Sequence, residues 1–286
     1  MLYYFYIAGF WLAKHIPLRV SYVIAELIAR IYYMFARANH EAIRSNLKVV
    51  LGDDISDQRV KKHTLNIFRN FSKYLVDFFR FYEFDERSIE RYVRINGLDI
   101  LKKAMKDGKG AVLVGLHIGN WELGGAIVAA LGFPFTVIAL EHTDKKINDF
   151  FNRQRSINKM HIIPPGPRIK KCFQVLRDNK VLGVVGDKDY TNSGLLVDFF
   201  GRKALLPKGP AVFSLKTGAP LIFCALIRNP DDTFTLNFEG PVGLDPSGDI
   251  KKDVPELMSK YIAIFEEYIR AYPDQWYAFE KIWKHE

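Results

Sequence analysis

Apolar residues follow two rhythms along this chain. From Asp57 to Tyr82 they recur at three- and four-residue steps, at Leu65, Phe68, Phe71, Leu75 and Phe79, which predicts one buried face of a long helix. Asn39–Leu51 reads as a more polar helix ended by Gly52, and Ile100–Lys106 as a short one closed by Asp107-Gly108. Near residue 110 the rhythm changes. Ala111-Val112-Leu113-Val114 is an unbroken apolar run bounded by glycines, as in a strand covered on both faces. Strands and helices then alternate: helix Trp121–Leu131, strand Phe135–Ala139, helix Lys146–Asn158, strand Met160–Ile163, helix Ile169–Asp178, strand Val181–Val185, helix Pro210–Thr217 and strand Leu221–Leu226. Thr233–Phe238 alternates like a strand near an edge, and Val254–Ala271 closes the chain as an amphipathic helix. This order predicts an α/β fold whose central, mostly parallel sheet is flanked by helices.

The first residues stand apart. Positions 1–13 carry no charge and hold Tyr3, Tyr4, Phe5 and Tyr6, after which Lys14 and His15 interrupt. A helix of that length is about 20 Å long, short of the ~30 Å hydrocarbon core of a bilayer. No Lys or Arg precedes the run, which argues against a secretory signal peptide. Beyond Pro17 a second apolar stretch, Val20–Ala36, is broken by Glu26 and Arg30. Two kinked apolar helices with aromatic rings and basic residues suit an anchor lying in one leaflet. Two core helices, or a tilted span, fit the same pattern. The division expected is a helical membrane-associating segment over 1–51, then an α/β domain over 52–286.

Composition narrows the function classes. At 286 residues, 49% hydrophobic and with only 13 Pro and 20 Gly, the chain is no disordered or low-complexity polymer. Two cysteines, Cys172 and Cys224, make neither a disulfide framework nor a Cys-rich zinc site. A net charge of +9 implies an acidic partner: nucleic acid, an anionic membrane, or an acidic substrate or carrier. The 22 Phe and 14 Tyr tilt that choice toward lipid, and no nucleic-acid-binding motif is visible, so no nucleic acid is expected. G-x-S-x-G, G-x-x-x-x-G-K-[ST], H-E-x-x-H and G-x-G-x-x-G are all missing, which weighs against α/β-hydrolase, NTPase, zincin and dinucleotide chemistry. No metal and no cofactor is expected.

Chemistry gathers in two places. Gly115–Gly125, GLHIGNWELGG, runs from the end of a buried strand through His117 into a helix beginning near Asn120. The carboxyl ends of parallel strands beside a helix amino terminus are where α/β folds place their sites. Glu122 lies in the first helical turn, from which a carboxylate folding back on the imidazole would fix its tautomer and leave the other nitrogen as a general base. A buried structural histidine fits the same residues. The second place is Gly186-Asp187-Lys188-Asp189, again at a strand end, followed by Phe199-Phe200-Gly201-Arg202 and Pro207-Lys208-Gly209-Pro210. By turn chemistry alone this is a surface loop with solvated charges.

In this order the blocks resemble the bacterial lipid A biosynthesis (lauroyl/myristoyl) acyltransferases, a branch of the lysophospholipid acyltransferase group, over nearly the whole length. His117-Ile-Gly-Asn-Trp-Glu122 is similar to that family's H-x4-[DE] block. Asp187-x-Asp189, Phe199-Phe200-Gly201, Pro207-x-Gly209-Pro210-Ala211, Thr217-Gly218-Ala219-Pro220, Asn46-Leu47 and Pro273-Asp274-Gln275-Trp276 look like family positions. The resemblance implies attachment to the cytoplasmic face of a bacterial inner membrane. It implies transfer of a fatty acyl group from an acyl carrier protein or coenzyme A thioester to a hydroxyl of a lipid A precursor or related glycolipid, without a covalent acyl-enzyme. His117 would be the base and Glu122 its orienting carboxylate. Asn120, Arg155, Asp187, Asp189, Arg202, Lys208 and Gly209 would bind substrate, Arg155 as a bidentate donor to the phosphopantetheine or an acceptor phosphate. A thioesterase or lipid hydrolase would use the same pair on water. One stretch departs from the pattern: Ala139-Leu140-Glu141-His142 stands where many lipid A enzymes carry an arginine. Glu141 would repel a phosphorylated sugar, and relatives in the family acylate phosphatidylinositol mannosides. Lys102, Lys103, Lys106, Lys109, Arg168, Lys170 and Lys171 are candidates for steering an acidic carrier protein or inner-leaflet anionic lipids.

Overall fold

The computed structural model describes every residue except 1, 82–84, 158 and 284–286, with Leu2 described by its backbone alone. Four helices come first: α1 (Leu2–His15), α2 (Leu18–Phe35), α3 (Arg37–Leu51) and α4 (Asp57–Phe79). The α/β part follows as α5 (Glu86–Tyr92), β1 (Val93–Asn96), α6 (Leu98–Lys106), β2 (Ala111–Gly115), α7 (Trp121–Ala130), β3 (Phe135–Ile138), α8 (Lys145–Ile157) and β4 (His161–Ile163). A 3-10 turn over Pro167–Lys170 leads into α9 (Lys171–Arg177), then β5 (Val181–Val185), β6 (Leu195–Phe199), β7 (Arg202–Leu206), α10 (Gly209–Thr217), β8 (Leu221–Arg228), β9 (Phe234–Val242) and α11 (Ile250–Ala271). The expected helix ends at Tyr82 and Asn158 fall outside the described residues.

Among the described residues the sheet has seven strands, in the order β1-β9-β8-β2-β5-β3-β4. Strands β8, β2, β5, β3 and β4 run parallel, while β9 is antiparallel to β8 and β1 parallel to β9. Strand β2 shows why its sequence reads as one apolar run: Ala111 and Leu113 pack into one layer, Val112 and Val114 into the opposite one, and none is more than 3% exposed. One layer joins the sheet to α1, α7 and α8; the other joins it to α9, α10, α11 and the β6–β7 hairpin. A third cluster fastens α2, α3 and α4 together through Ala29, Ile43, Leu47, Ile67 and Phe68.

Three elements were not foreseen. Helix α5 has seven residues and β1 four, too few for a period to show. The β6–β7 hairpin turns through Phe200 and Gly201, both at positive φ (56° and 73°). That turn ordinarily calls for Asn-Gly or Gly-Gly, so a Phe in the left-handed region hides it. Among the described residues no helix is long and apolar enough to cross a membrane.

Candidate active site

Strands β2 and β5 end side by side, with Gly115 paired to Val185, so the residues that follow each strand meet. His117 comes from β2 and Asp187 from β5. Asp187 Oδ1 accepts from the His117 backbone amide at 3.2 Å and lies 2.7 Å from Nδ1 of its ring; Oδ2 accepts from the Trp276 indole at 2.9 Å. Asp187 is fully buried. Burial alone would raise its pKa, but the His117 imidazole, Lys188 and the Trp276 indole outweigh that and bring the carboxyl down to about 2. An ionised Asp187 accepts, so Nδ1 is the donor and Nε2 keeps its lone pair. Nε2 has no hydrogen-bond partner among the described residues, and His117 lines a cavity of about 890 Å³.

The expected His117–Glu122 pair is therefore corrected. The carboxylate set against the His117 ring is Asp187. Glu122 instead accepts from Arg155 of α8, from Nη2 at 2.6 Å and from Nε at 3.0 and 3.2 Å. Both side chains are largely buried, 11% and 7% exposed, and both line the cavity. Arg155 is correspondingly no open clamp for a phosphate, because the edge that would grip one already holds a carboxylate.

The loop from Leu116 to Asn120 is fastened along its length. The His117 carbonyl accepts from the Tyr277 amide at 2.8 Å, the Gly119 amide donates to the Gln275 carbonyl at 2.9 Å, and the Asn120 amide to the Leu226 carbonyl at 2.9 Å. Gly119 has φ +59°, and a Cβ there would lie 1.9 Å from the Leu226 carbonyl oxygen, so only glycine fits. Asn120 is 1% exposed and does not line the cavity. Its Oδ1 accepts from the Leu123 amide at 3.0 Å, capping α7, which replaces the substrate contact expected of it. Trp121 stacks on Tyr74, centroids 4.4 Å apart, and sets its edge against His117 at 5.1 Å.

The remaining candidates divide. Lys208, Gly209 and Asp189 line the cavity, and Asp189 also organises its rim by accepting from the Thr191 and Gly194 amides at 2.9 and 2.7 Å. Arg202 sits on the hairpin, pairs with Asp53 at 3.2 Å and is not among the cavity-lining residues. Glu141 is exposed and also absent from the lining, although its neighbours Leu140 and His142 are part of it. Sequence reading missed Lys188, whose Nζ donates to the Tyr277 carbonyl at 2.7 Å and whose burial lowers its pKa. Only its place between two strand-end aspartates hinted at it.

Much of the cavity lining is apolar, with Leu113, Val128, Phe135, Val137, Met160 and Leu226 among its residues. Phe135 stands in space left by two glycines: a Cβ on Gly183 would lie 2.4 Å from its ring, and one on Gly125 2.8 Å. A second cavity, about 830 Å³, contains His63 paired with Asp274, but its walls are mostly charged and amide side chains from α4, the β8–β9 turn and the end of α11. Its lining offers an acyl chain less apolar surface than the cavity at His117 does.

Known proteins resemble this sequence along nearly its whole length. The bacterial lipid A biosynthesis acyltransferase family matches residues 1–285. A phosphatidylinositol mannoside acyltransferase of Mycolicibacterium smegmatis is 26% identical, over 97% of this chain and 90% of its own. The lipid A biosynthesis palmitoleoyltransferase of Escherichia coli is 22% identical over 77% of this chain and 72% of its own, and the lauroyltransferase of the same organism 21% over 93% and 86%.

Proposed function

The chain belongs to the bacterial lipid A biosynthesis acyltransferase family and is an O-acyltransferase; from that premise we propose that it moves a fatty acyl group from a carrier-protein or coenzyme A thioester to a glycolipid hydroxyl, with His117 as base and Asp187 orienting it. The observation that carries this reading is an imidazole whose Nδ1 is held by a buried carboxylate at an apolar cavity of about 890 Å³.

His117 Nε2 takes the acceptor's hydroxyl proton as that oxygen bonds to the thioester carbonyl carbon. The tetrahedral intermediate collapses with cleavage of the C–S bond, and the imidazolium returns the proton to the departing thiolate. The products are an acylated glycolipid and a free thiol, with no acyl-enzyme between. Asp187 stays ionised and balances the imidazolium at its closest approach. The Glu122–Arg155 pair keeps α7 and α8 in register along the cavity wall. No cofactor enters the scheme.

The acceptor class is a glycolipid, with the phosphatidylinositol mannoside and lipid A relatives as the two chemistries to offer first. Membrane seating is proposed for α1 and α2. Among the described residues, nineteen large hydrophobic side chains are exposed, and twelve of them lie between Tyr4 and Phe35. So uneven a distribution marks a surface meant to be covered, and two short apolar helices suit one leaflet.

The test is a thioester assay with acyl carrier protein and coenzyme A donors, a membrane glycolipid extract as acceptor, and mass spectrometry of the acyl group. Wild type is expected to form an acylated glycolipid, and His117→Ala to lose ~10²–10⁴-fold in turnover with its fold intact. Free fatty acid with no acylated lipid would establish the hydrolase instead.

A further inference from the structure

Behind the histidine loop lies a group of buried polar side chains that the proposed reaction does not touch. Asp77 on α4, Asn120 at the head of α7, Tyr22 on α2 and Arg228 at the end of β8 are 1%, 1%, 5% and 8% exposed. Asp77 Oδ1 accepts from the Tyr22 hydroxyl at 2.5 Å; Oδ2 accepts from Asn120 Nδ2 at 2.8 Å and from the Arg228 guanidinium. Arg228 also donates to the Tyr22 oxygen at 3.2 Å. Asn120 thus uses both ends of its amide, the nitrogen toward Asp77 and the oxygen on the Leu123 amide. Its plane is fixed, three residues after His117.

Stability alone does not account for this arrangement. A buried ion pair gives up most of its attraction to desolvation, and apolar side chains of the same volume are often as stable or more so. Burial still holds the Asp77 carboxyl above its ordinary pKa, despite Arg228, Tyr22 and Asn120 around it. A fully used carboxylate offers one geometry instead of several, and the geometry at stake is that of the α7 amino terminus. The main-chain bonds of Gly119 and Asn120 set the loop's height over the sheet; the Asn120 side chain sets its rotation.

We propose that Asp77 is the positioning residue of the histidine loop, acting through Asn120 on the placement of His117, and that Tyr22 ties this placement to α2. The proposal rests on His117 as the base. Since α2 carries much of the exposed apolar face, the same hydroxyl links the seating of that helix to the site.

The experiment compares Asp77→Asn, Asn120→Asp, the exchange carrying both, Tyr22→Phe and His117→Ala, with acyl-coenzyme A as donor and the dispersed glycolipid extract as acceptor. Asp77→Asn and Asn120→Asp each remove the 77–120 bond or set like groups against each other, and each is expected to lower kcat about tenfold or more while KM for the donor stays within about twofold. The double exchange restores one carboxylate, one amide and one arginine, and is expected to recover kcat to within about threefold of wild type, a rescue that a loss of bulk stability would not produce. Tyr22→Phe keeps the charge balance and is expected to lose about threefold in kcat at unchanged KM. Single variants that melt cooperatively and turn over at the wild-type rate would overturn the proposal, as would a double exchange that melts like wild type yet stays as slow as its parents. If the single and double variants do not fold, an unchanged kcat in Tyr22→Phe overturns it. Full activity in His117→Ala is a separate outcome, which removes the reading of the base itself.

Discussion

An imidazole serves as a base at one nitrogen when the other is committed, and here the commitment comes from Asp187, across 70 residues of sequence. The same bond has a pH signature. Asp187 falls from the usual 3.8 to about 2 in the fold. A carboxyl whose folded pKa is lowered contributes stability that is fully present above its unfolded value and lost as the pH falls through the folded one. The contribution is roughly 2 kcal/mol, and it disappears between about pH 4 and pH 2. Denaturant melts of wild type and Asp187→Asn are expected to differ at pH 6 and to converge toward pH 2; a gap independent of pH would assign the lost stability to packing. At neutral pH, Asp187→Asn is expected to lower kcat ~10²–10⁴-fold at similar KM, because an amide no longer selects the tautomer. The sequence made His117 legible through its setting, a buried strand before it and a helix after. It made Glu122 the nearer carboxylate, and proximity in sequence misled. Glu122 was already matched to Arg155, 33 residues on, and no spacing along one chain reports a pairing of that kind.

Among the elements, those read correctly were those whose packing leaves a periodic trace. Strands β2, β5 and β8 are covered on both faces and appear as continuous apolar runs; α4 is covered on one face and appears as a three- and four-residue stripe. The β6–β7 hairpin left no such trace, because Leu195, Val197 and Phe199 alternate over too few residues and its turn breaks the usual composition. Two predictions belong at this scale. The Glu122–Arg155 pair is the buried tie between α7 and α8, so Glu122→Ala or Arg155→Ala strands a charge and is expected to cost about 3 kcal/mol each. The double variant should cost clearly less than the sum, as read from thermal or urea melts; strict additivity would show that the two side chains act independently. The second concerns Phe135 on β3, whose ring fills the gap over Gly125 and Gly183. Phe135→Ala is expected to deepen the cavity and shift the acylated products toward longer chains in a mixed-thioester competition read by mass spectrometry. An unchanged chain-length distribution would place the acyl chain elsewhere in the cavity.

For the whole molecule, the question is what holds it beside its lipid substrates. Deleting the first helices is a poor test, because they are part of the folded core: Tyr6 and Phe10 meet Phe79 and Phe150 edge-on or stacked, and Arg80 donates to the carbonyls of Ala13 and Ile16. Tyr22 reaches the Asp77 carboxylate in the same way. The outward face of α2 can be changed without disturbing any of this. Val23, Leu27 and Ile31 follow one another at four-residue steps and are 69%, 59% and 49% exposed, so they form one stripe. Burying such side chains contributes about 1.5–3 kcal/mol apiece. Since about half to two thirds of each remains to be covered, replacing all three by Glu removes about 3–5 kcal/mol, a hundredfold or more in partition. The charge of +9 adds attraction to an anionic leaflet, screened within about 10 Å at 0.1 M salt. Wild type is expected to sediment with phosphatidylglycerol vesicles more strongly than with phosphatidylcholine, and more strongly at low salt than at high. The triple variant is expected to remain in the supernatant with both while melting within a few degrees of wild type and acylating detergent-dispersed substrate at a similar rate. Undiminished sedimentation of the triple variant would move the membrane contact off α2, and leave α1, with Tyr4, Phe5 and Trp11 exposed, as the surface that carries it.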